Sequence, residues 1–200
     1  MTYRRKDIHY RRARSAGYRA RSAYKLLELD ARFRLLHAGD RVVDLGAWPG
    51  AWLQVARERV GPGGRVVGVD VVPVDPLPDA NVAVVTGDVR EAGTVGEILA
   101  RLDGTAADVV LSDLAPKLTG VRATDEARAA ELVDAALTAL ASLLRPGGRL
   151  LMKAFMDTGY TTTLARLRAM FTDVRTTRPT ATRQGSAELY AVGLRHRAIR

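Results

Sequence analysis

From residue 41 onward, short apolar runs alternate with longer stretches of helical periodicity, and this alternation constrains the fold more than any other feature of the chain. The apolar runs lie at 41–45, 65–69, 82–85, 108–111, 149–153, 173–177 and 188–194. Helical patterns fall at 51–60, 95–102, 125–144 and 161–171, with Thr124 expected to cap the third and acids in its first turn. An earlier amphipathic helix is read over 18–34, where Tyr24, Leu26, Leu27 and Leu29 offer an apolar face between arginines. Such alternation predicts a parallel sheet covered by helices on both faces. Only about ten residues and no helix join the last two strands, too few for a parallel crossover. The expectation is therefore an α/β, Rossmann-like fold with a seven-stranded, mostly parallel sheet and an antiparallel last strand.

Within that frame the segment Val42-Val43-Asp44-Leu45-Gly46-Ala47-Trp48-Pro49-Gly50-Ala51-Trp52 forms a strand, a turn and a helix start. Glycine lets a backbone approach a ligand closely, and the following helix offers free N–H groups at the mouth of the site. The spacing is Gly-x-x-x-Gly, unlike the Gly-x-Gly-x-x-Gly of dinucleotide enzymes or the lysine-bearing phosphate loop. An acid before the first glycine suits a ligand with positive charge and hydroxyls, and S-adenosyl-L-methionine, with its sulfonium and ammonium, is such a ligand. Asp44, Gly46, Gly50 and Trp52 are the contacts expected from this segment. A plain tight turn is the alternative.

Ligands of doubly wound sheets sit beyond the carboxyl ends of the strands. The second strand ends at Asp70, expected on the ribose hydroxyls. The third leads to Asp88, expected near the adenine amino group or as a cap for the next helix. The fourth delivers Asp113 and the fifth Lys153. An antiparallel last strand begins at the edge where the others end, so Glu188 points to the same cleft. A buried structural salt bridge among these three is the bland alternative.

Charge is unevenly spread. Residues 1–34 hold 11 Lys/Arg against 3 Asp/Glu, residues 175–200 hold 6 against 1, and the body between them is mildly acidic. Two basic ends on an acidic body are the footprint of a polyanion partner, nucleic acid foremost. Tyr3, Tyr10, Tyr18 and Tyr24 interleave with the first basic cluster, as a surface for stacking unpaired bases would. Residues 1–17 are read as a basic arm and 18–200 as one domain. The absence of cysteine excludes disulfides, thiolate metal sites and a cysteine nucleophile. No apolar stretch approaches the roughly 18 residues of a membrane span, and the basic N-terminus lacks the apolar core of a signal peptide. A cytoplasmic monomer follows as the expectation. Among 31 basic residues only Lys6, Lys25, Lys117 and Lys153 are lysines; where arginine serves for charge, a retained lysine points to a group that must lose its proton.

The ordered motifs resemble those of the FtsJ-like (RrmJ-type) 2′-O-methyltransferases of large-subunit ribosomal RNA. They are Arg-Ser-Ala-Tyr-Lys-Leu at 21–26, Asp-Leu-Gly-Ala-Trp-Pro-Gly-Ala-Trp at 44–52, Asp70, Gly87-Asp88, Ser-Asp-Leu-Ala-Pro at 112–116, Leu-Met-Lys-Ala-Phe at 151–155 and Glu-Leu-Tyr at 188–190. The resemblance implies a catalytic tetrad of Lys25, Asp113, Lys153 and Glu188. It implies S-adenosyl-L-methionine as cofactor, with Asp113 also touching it, no metal, and the 2′-hydroxyl of a uridine as acceptor. Large-subunit ribosomal RNA or the subunit itself is the implied partner, gripped by the basic arm and the C-terminal basic residues. Lys153 takes the role of base, Lys25 supplies a cation that lowers its proton affinity, and the two acids orient the amines. Trp48 and Ala51 depart from the smaller residues of that family's loop, and Lys117 from its usual neutral residue. Rival readings are a methyltransferase of transfer RNA or of an RNA cap, a small-molecule methyltransferase, and a non-enzymatic ribosome-assembly factor.

Overall fold

The computed structural model describes residues 13–116, 119–156, 159–180, 182 and 188–198. Most of the basic arm, with Lys6, Tyr3 and Tyr10, lies outside these residues, as do Lys117, Arg183 and Arg200. The elements are α1 (Ala23–Phe33), β1 (Arg41–Leu45), α2 (Ala51–Val60), β2 (Arg65–Asp70), β3 (Val82–Thr86), α3 (Ala92–Arg101), β4 (Ala107–Ser112), α4 (Arg122–Leu143), β5 (Leu144–Phe155), α5 (Tyr160–Met170), β6 (Phe171–Thr177) and β7 (Glu188–His196). The strands form one sheet in the order β3-β2-β1-β4-β5-β7-β6. All neighbours pair parallel except β7, which runs antiparallel to both β5 and β6. The seven-stranded, mostly parallel sheet with an antiparallel last strand is as expected.

The two faces carry separate cores. Leu26 and Leu29 of α1 and Trp52, Leu53 and Ala56 of α2 pack on Val42, Val66, Leu111 and Leu151. Ile98, Leu137, Leu140 and Leu167 from α3, α4 and α5 pack on Val43, Val67, Val110 and Leu150. Alternate residues of each strand thus serve opposite layers, which is why the strands read as continuous apolar runs. An 11-residue helix such as α1 is marginal alone; each buried leucine adds about 1.5–3 kcal/mol that fixes it to the sheet. No helix among the described residues is long and apolar enough to cross a membrane.

Several boundaries differ from the sequence reading. The first helix starts at Ala23 rather than 18, because the Arg19 amide donates to Gln54 Oε1 (2.8 Å) and Gly17 takes φ 80°. Helix α4 starts at Arg122, and Thr124 does not cap it. Asp125 instead reaches back to accept from the Thr119 amide (2.7 Å) and hydroxyl (2.8 Å) and the Gly120 amide (3.1 Å). These bonds hold its carboxyl below the ordinary value. Strand β5 begins at Leu144, which pairs with Ala107 before the Pro146-Gly147-Gly148 excursion shifts the register. Strand β6 begins at Phe171, two residues earlier than read.

The strand order reverses between β1, whose successors step one way, and β4, whose successors step the other. A crevice at the carboxyl ends of these two strands is the ligand position that such a sheet creates.

Candidate active site

An open cleft of about 530 Å³ lies at that reversal point. Its walls include Gly46 and Trp48 after β1, Asp70, Val71 and Val72 after β2, Asp88 and Arg90 after β3, and Asp113 and Leu114 after β4. Gly46 has φ 81°, and a Cβ there would stand 3.0–3.2 Å from Leu114, so only glycine lets the β1 and β4 loops meet. Gly50 has φ 101°, and its missing Cβ leaves room for the Arg19 guanidinium, which would otherwise lie 2.5 Å away. The space beside Gly50 is thus filled by a protein contact. Arg19 donates to the carbonyls of Pro49 (3.2 Å), Asp75 and Pro76 (2.9 Å), strapping the loop after β1 to the loop after β2.

Asp70 accepts from the amides of Trp48 (Oδ2, 2.9 Å) and Val72 (Oδ1, 2.9 Å). A carboxylate has further lone pairs, so hydroxyls of a ligand in the cleft can still be accepted. Asp88 is held below the ordinary range by hydrogen bonds from the Arg90 guanidinium. Helix α3 has no side-chain cap, so the capping alternative for Asp88 is not realised. Asp44 is fully buried on β1, and neither carboxylate oxygen has a hydrogen-bond partner among the described residues. Burial, with the charges of Asp113 and Asp70, pushes its pKa well above the ordinary value. Asp70, on the wall, therefore suits a ligand with hydroxyls, while Asp44 stands buried behind it.

Trp52 follows the same loop. It is buried on α2, its indole N–H donates to the Ser22 carbonyl (2.9 Å), and its ring lies 6.0 Å from that of Tyr190. Tyr18 and Tyr24 pack edge to face at 6.0 Å, and the Tyr18 hydroxyl donates to Glu58 (2.8 Å). These two tyrosines brace the approach to α1.

Beside the cleft stand two ion pairs. Lys153 Nζ lies 2.6 Å from Asp113 Oδ1 and 3.3 Å from the Asp113 carbonyl oxygen. Lys25 Nζ donates to Glu188 Oε1. Register explains the convergence: Lys153 pairs with Tyr190 and Phe155 with Glu188 across the antiparallel β5–β7 ladder. Burial pushes Glu188 up, but the hydrogen bond and charge of Lys25, the charge of Lys153 and the Tyr190 hydroxyl outweigh it and lower its pKa. All four residues read from the sequence as a tetrad thus come together.

Tyr190 links the pairs and carried no role in the sequence reading. It is fully buried, its hydroxyl donates to Asp113 Oδ1 (2.8 Å), and Lys25 Nζ lies 5.7 Å from its ring centroid. Burial, then the charges of Asp113 and Glu188, keep its phenol neutral. The available signal was alternation: residue 190 shares a face with residue 188 on a strand. Arg19 was missed too, because its partners are carbonyls of distant loops. No group of three or more His, Cys, Asp or Glu able to hold a metal ion occurs among the described residues.

The family described as FtsJ-like methyltransferase matches residues 18–196. A protein named ribosomal RNA large subunit methyltransferase E, from Azoarcus sp. (strain BH72), is 46% identical over 188 residues, covering 94% of this chain and 91% of that one. The crystal structure of a ribosomal RNA methyltransferase from Plasmodium falciparum superposes with a TM-score of 0.79 at 27% identity, over 90% of this chain and 98% of that one. Fibrillarin of Aeropyrum pernix, with natively bound S-adenosyl-L-methionine, shares the fold at a TM-score of 0.55 and 17% identity, over 80% and 68% of the two chains.

Proposed function

This chain belongs to the FtsJ-like methyltransferase family and uses S-adenosyl-L-methionine, and from that premise we propose that it methylates a ribose 2′-hydroxyl, that of a uridine, in large-subunit ribosomal RNA. The observation that carries the reading is the buried Lys153 amine, 2.6 Å from Asp113 at the edge of the cleft, with the Lys25–Glu188 pair beside it. The relatives named for large-subunit ribosomal RNA support the substrate.

When bound, the cofactor supplies an electrophilic methyl group on a sulfonium. Asp70 would hold its ribose hydroxyls and Asp88 the adenine end. Gly46 would admit it close to the backbone, with Asp44 buried behind that loop. A ribose hydroxyl is a poor nucleophile until its proton leaves. Lys153, uncharged at that moment, takes the proton, and Asp113 receives the resulting ammonium in the pairing already built. Lys25 places a second positive charge nearby and is itself held by Glu188. Tyr190 fixes the Asp113 carboxylate. General-base assistance of this kind contributes about 10²–10⁴-fold, and alignment of the hydroxyl supplies much of the rest.

The basic arm at 1–17 and the C-terminal arginines grip RNA phosphates, and the enzyme works as a monomer in the cytoplasm, where ribosomes are. RNA affinity should fall as salt rises. The decisive experiment is Lys153→Arg. Guanidinium keeps the ion pair with Asp113 but does not give up its proton. Donor binding by calorimetry should be retained, while methylation of large subunits from cells lacking the protein falls at least about 100-fold. Full activity in Lys153→Arg removes the base assignment.

A further inference from the structure

A second groove, of about 290 Å³, lies between α4, the end of β5 and the start of α5. Its floor is the α4 face carrying Ala127 and Ala130, and its far wall is Phe155 at the end of β5 with Tyr160 and Thr163 at the start of α5. A small hollow of about 10 Å³, with Lys153 in its lining, shares walls with both spaces. It shares Leu114 and Pro116 with the cleft and Phe155 with the groove. Cofactor cleft, candidate base and groove therefore follow one another across the ends of β4 and β5.

The lining limits what the groove accepts. Alanines at 123, 127 and 130 recur on one face of α4 at spacings of four and three, so the face is flat and leaves space for a planar group. Phe155 and Tyr160 provide ring surface for stacking. Among the described residues of the lining, the one charged side chain is Glu126, which pairs with Arg122 (2.7 Å) among its contacts. An acid disfavours a phosphate there, whereas a carboxylate can accept from the N–H edge of a base and the Thr163 hydroxyl can serve a carbonyl. A ribose whose 2′-hydroxyl meets Lys153 must send its base to one side or the other, and this groove is the adjoining space.

We propose that the groove receives the unpaired nucleobase carried by the ribose being methylated, with Tyr160 and Phe155 stacking on it and Glu126 reading its N–H edge. This rests on the 2′-hydroxyl assignment above. The test fills the groove by Ala127→Phe and Ala130→Phe, both at exposed positions, and separately compares Tyr160→Ala with Tyr160→Phe. Donor affinity is read by calorimetry, and kcat/KM on large subunits isolated from cells lacking the protein. Filling the groove is expected to leave donor affinity within twofold and to lower kcat/KM at least about tenfold, the loss expected when a reacting group is misplaced. Tyr160→Ala should behave likewise and Tyr160→Phe should retain the rate. Unchanged kcat/KM in a filled-groove variant that binds donor overturns the proposal. If filling also disturbs donor binding, the Tyr160 pair decides, and equal rates for alanine and phenylalanine overturn it. Failure of the underlying reading is separately visible, because the wild-type product would then lack an alkali-resistant 2′-O-methyl linkage.

Discussion

Asp44 gives the sharpest physical prediction. Its side chain is fully buried, both oxygens lack partners among the described residues, and burial together with Asp113 and Asp70 raises its pKa well above 3.8. Between 3.8 and the raised value the folded protein holds a proton that the unfolded chain has released. The folded state then binds more protons, so stability falls as pH rises, by about 1.4 kcal/mol per pH unit. Below 3.8 both states are protonated and this cost vanishes; above the folded value it stops growing. Asp44→Asn keeps the shape and removes the titration. For a chain of this size about 1 kcal/mol moves the melting temperature by roughly 2–4 °C. The variant should therefore match the wild type near pH 3.8 and then gain about 3–6 °C per pH unit until the difference levels off. Calorimetric melting of both proteins without cofactor, at half-unit steps from pH 4 to 7, measures it. A melting difference that stays flat with pH refutes the buried-acid argument.

Three further perturbations test separate parts of the site. Asp70→Ala should weaken cofactor binding while RNA affinity stays within twofold; equal cofactor affinity by calorimetry sinks the ribose role. Arg19→Ala removes the donors that tie Pro49 to Asp75 and Pro76. It should raise KM for the cofactor several-fold with kcat little changed, and Arg19→Lys should restore only part because an ammonium lacks the planar fork. Tyr190→Phe deletes the hydroxyl on Asp113 and should cost about 1–2 kcal/mol by urea unfolding; an unchanged midpoint would show that Asp113 does not depend on it.

What was legible in the sequence was whatever a short-range rule decides. Apolar runs ending in acids located the strand ends, and once the sheet is parallel those ends share an edge, so Asp70, Asp113 and Lys153 could be collected without coordinates. The elements that escaped depend on contacts distant in the chain. The first helix starts late because Arg19 and Gly17 bind Gln54, more than thirty positions on. Thr124 looked like a cap because Ser/Thr before an acidic turn usually is one, but Asp125 captures the preceding amides first. The place of Gly50 in the loop was legible, whereas the Arg19 contact that fills the space beside it was not. The same holds for Trp52, whose position beside the loop was legible while its contacts with Ser22 and Tyr190 were not.

The last strand is where topology becomes chemistry. Inserted antiparallel between β5 and β6, β7 begins at the edge where β5 ends, so Glu188 and Tyr190 reach the cleft while the rest of the strand runs away from it. A slip of one residue would turn both side chains to the opposite face. The partner of Glu188 comes from α1, 163 positions earlier. That helix is moored to the same end of the sheet: Glu28 accepts from the Thr180 amide (2.9 Å) and hydroxyl (2.7 Å), and Arg32 donates to Thr177 (2.7 Å). The residues that complete the second ion pair are thus fixed only when the first helix and the last hairpin have met. The Lys153–Asp113 pair, by contrast, comes from adjacent parallel strands. The site therefore joins a pair set by the central sheet to one set by the two ends of the chain, where the excess of positive charge is concentrated.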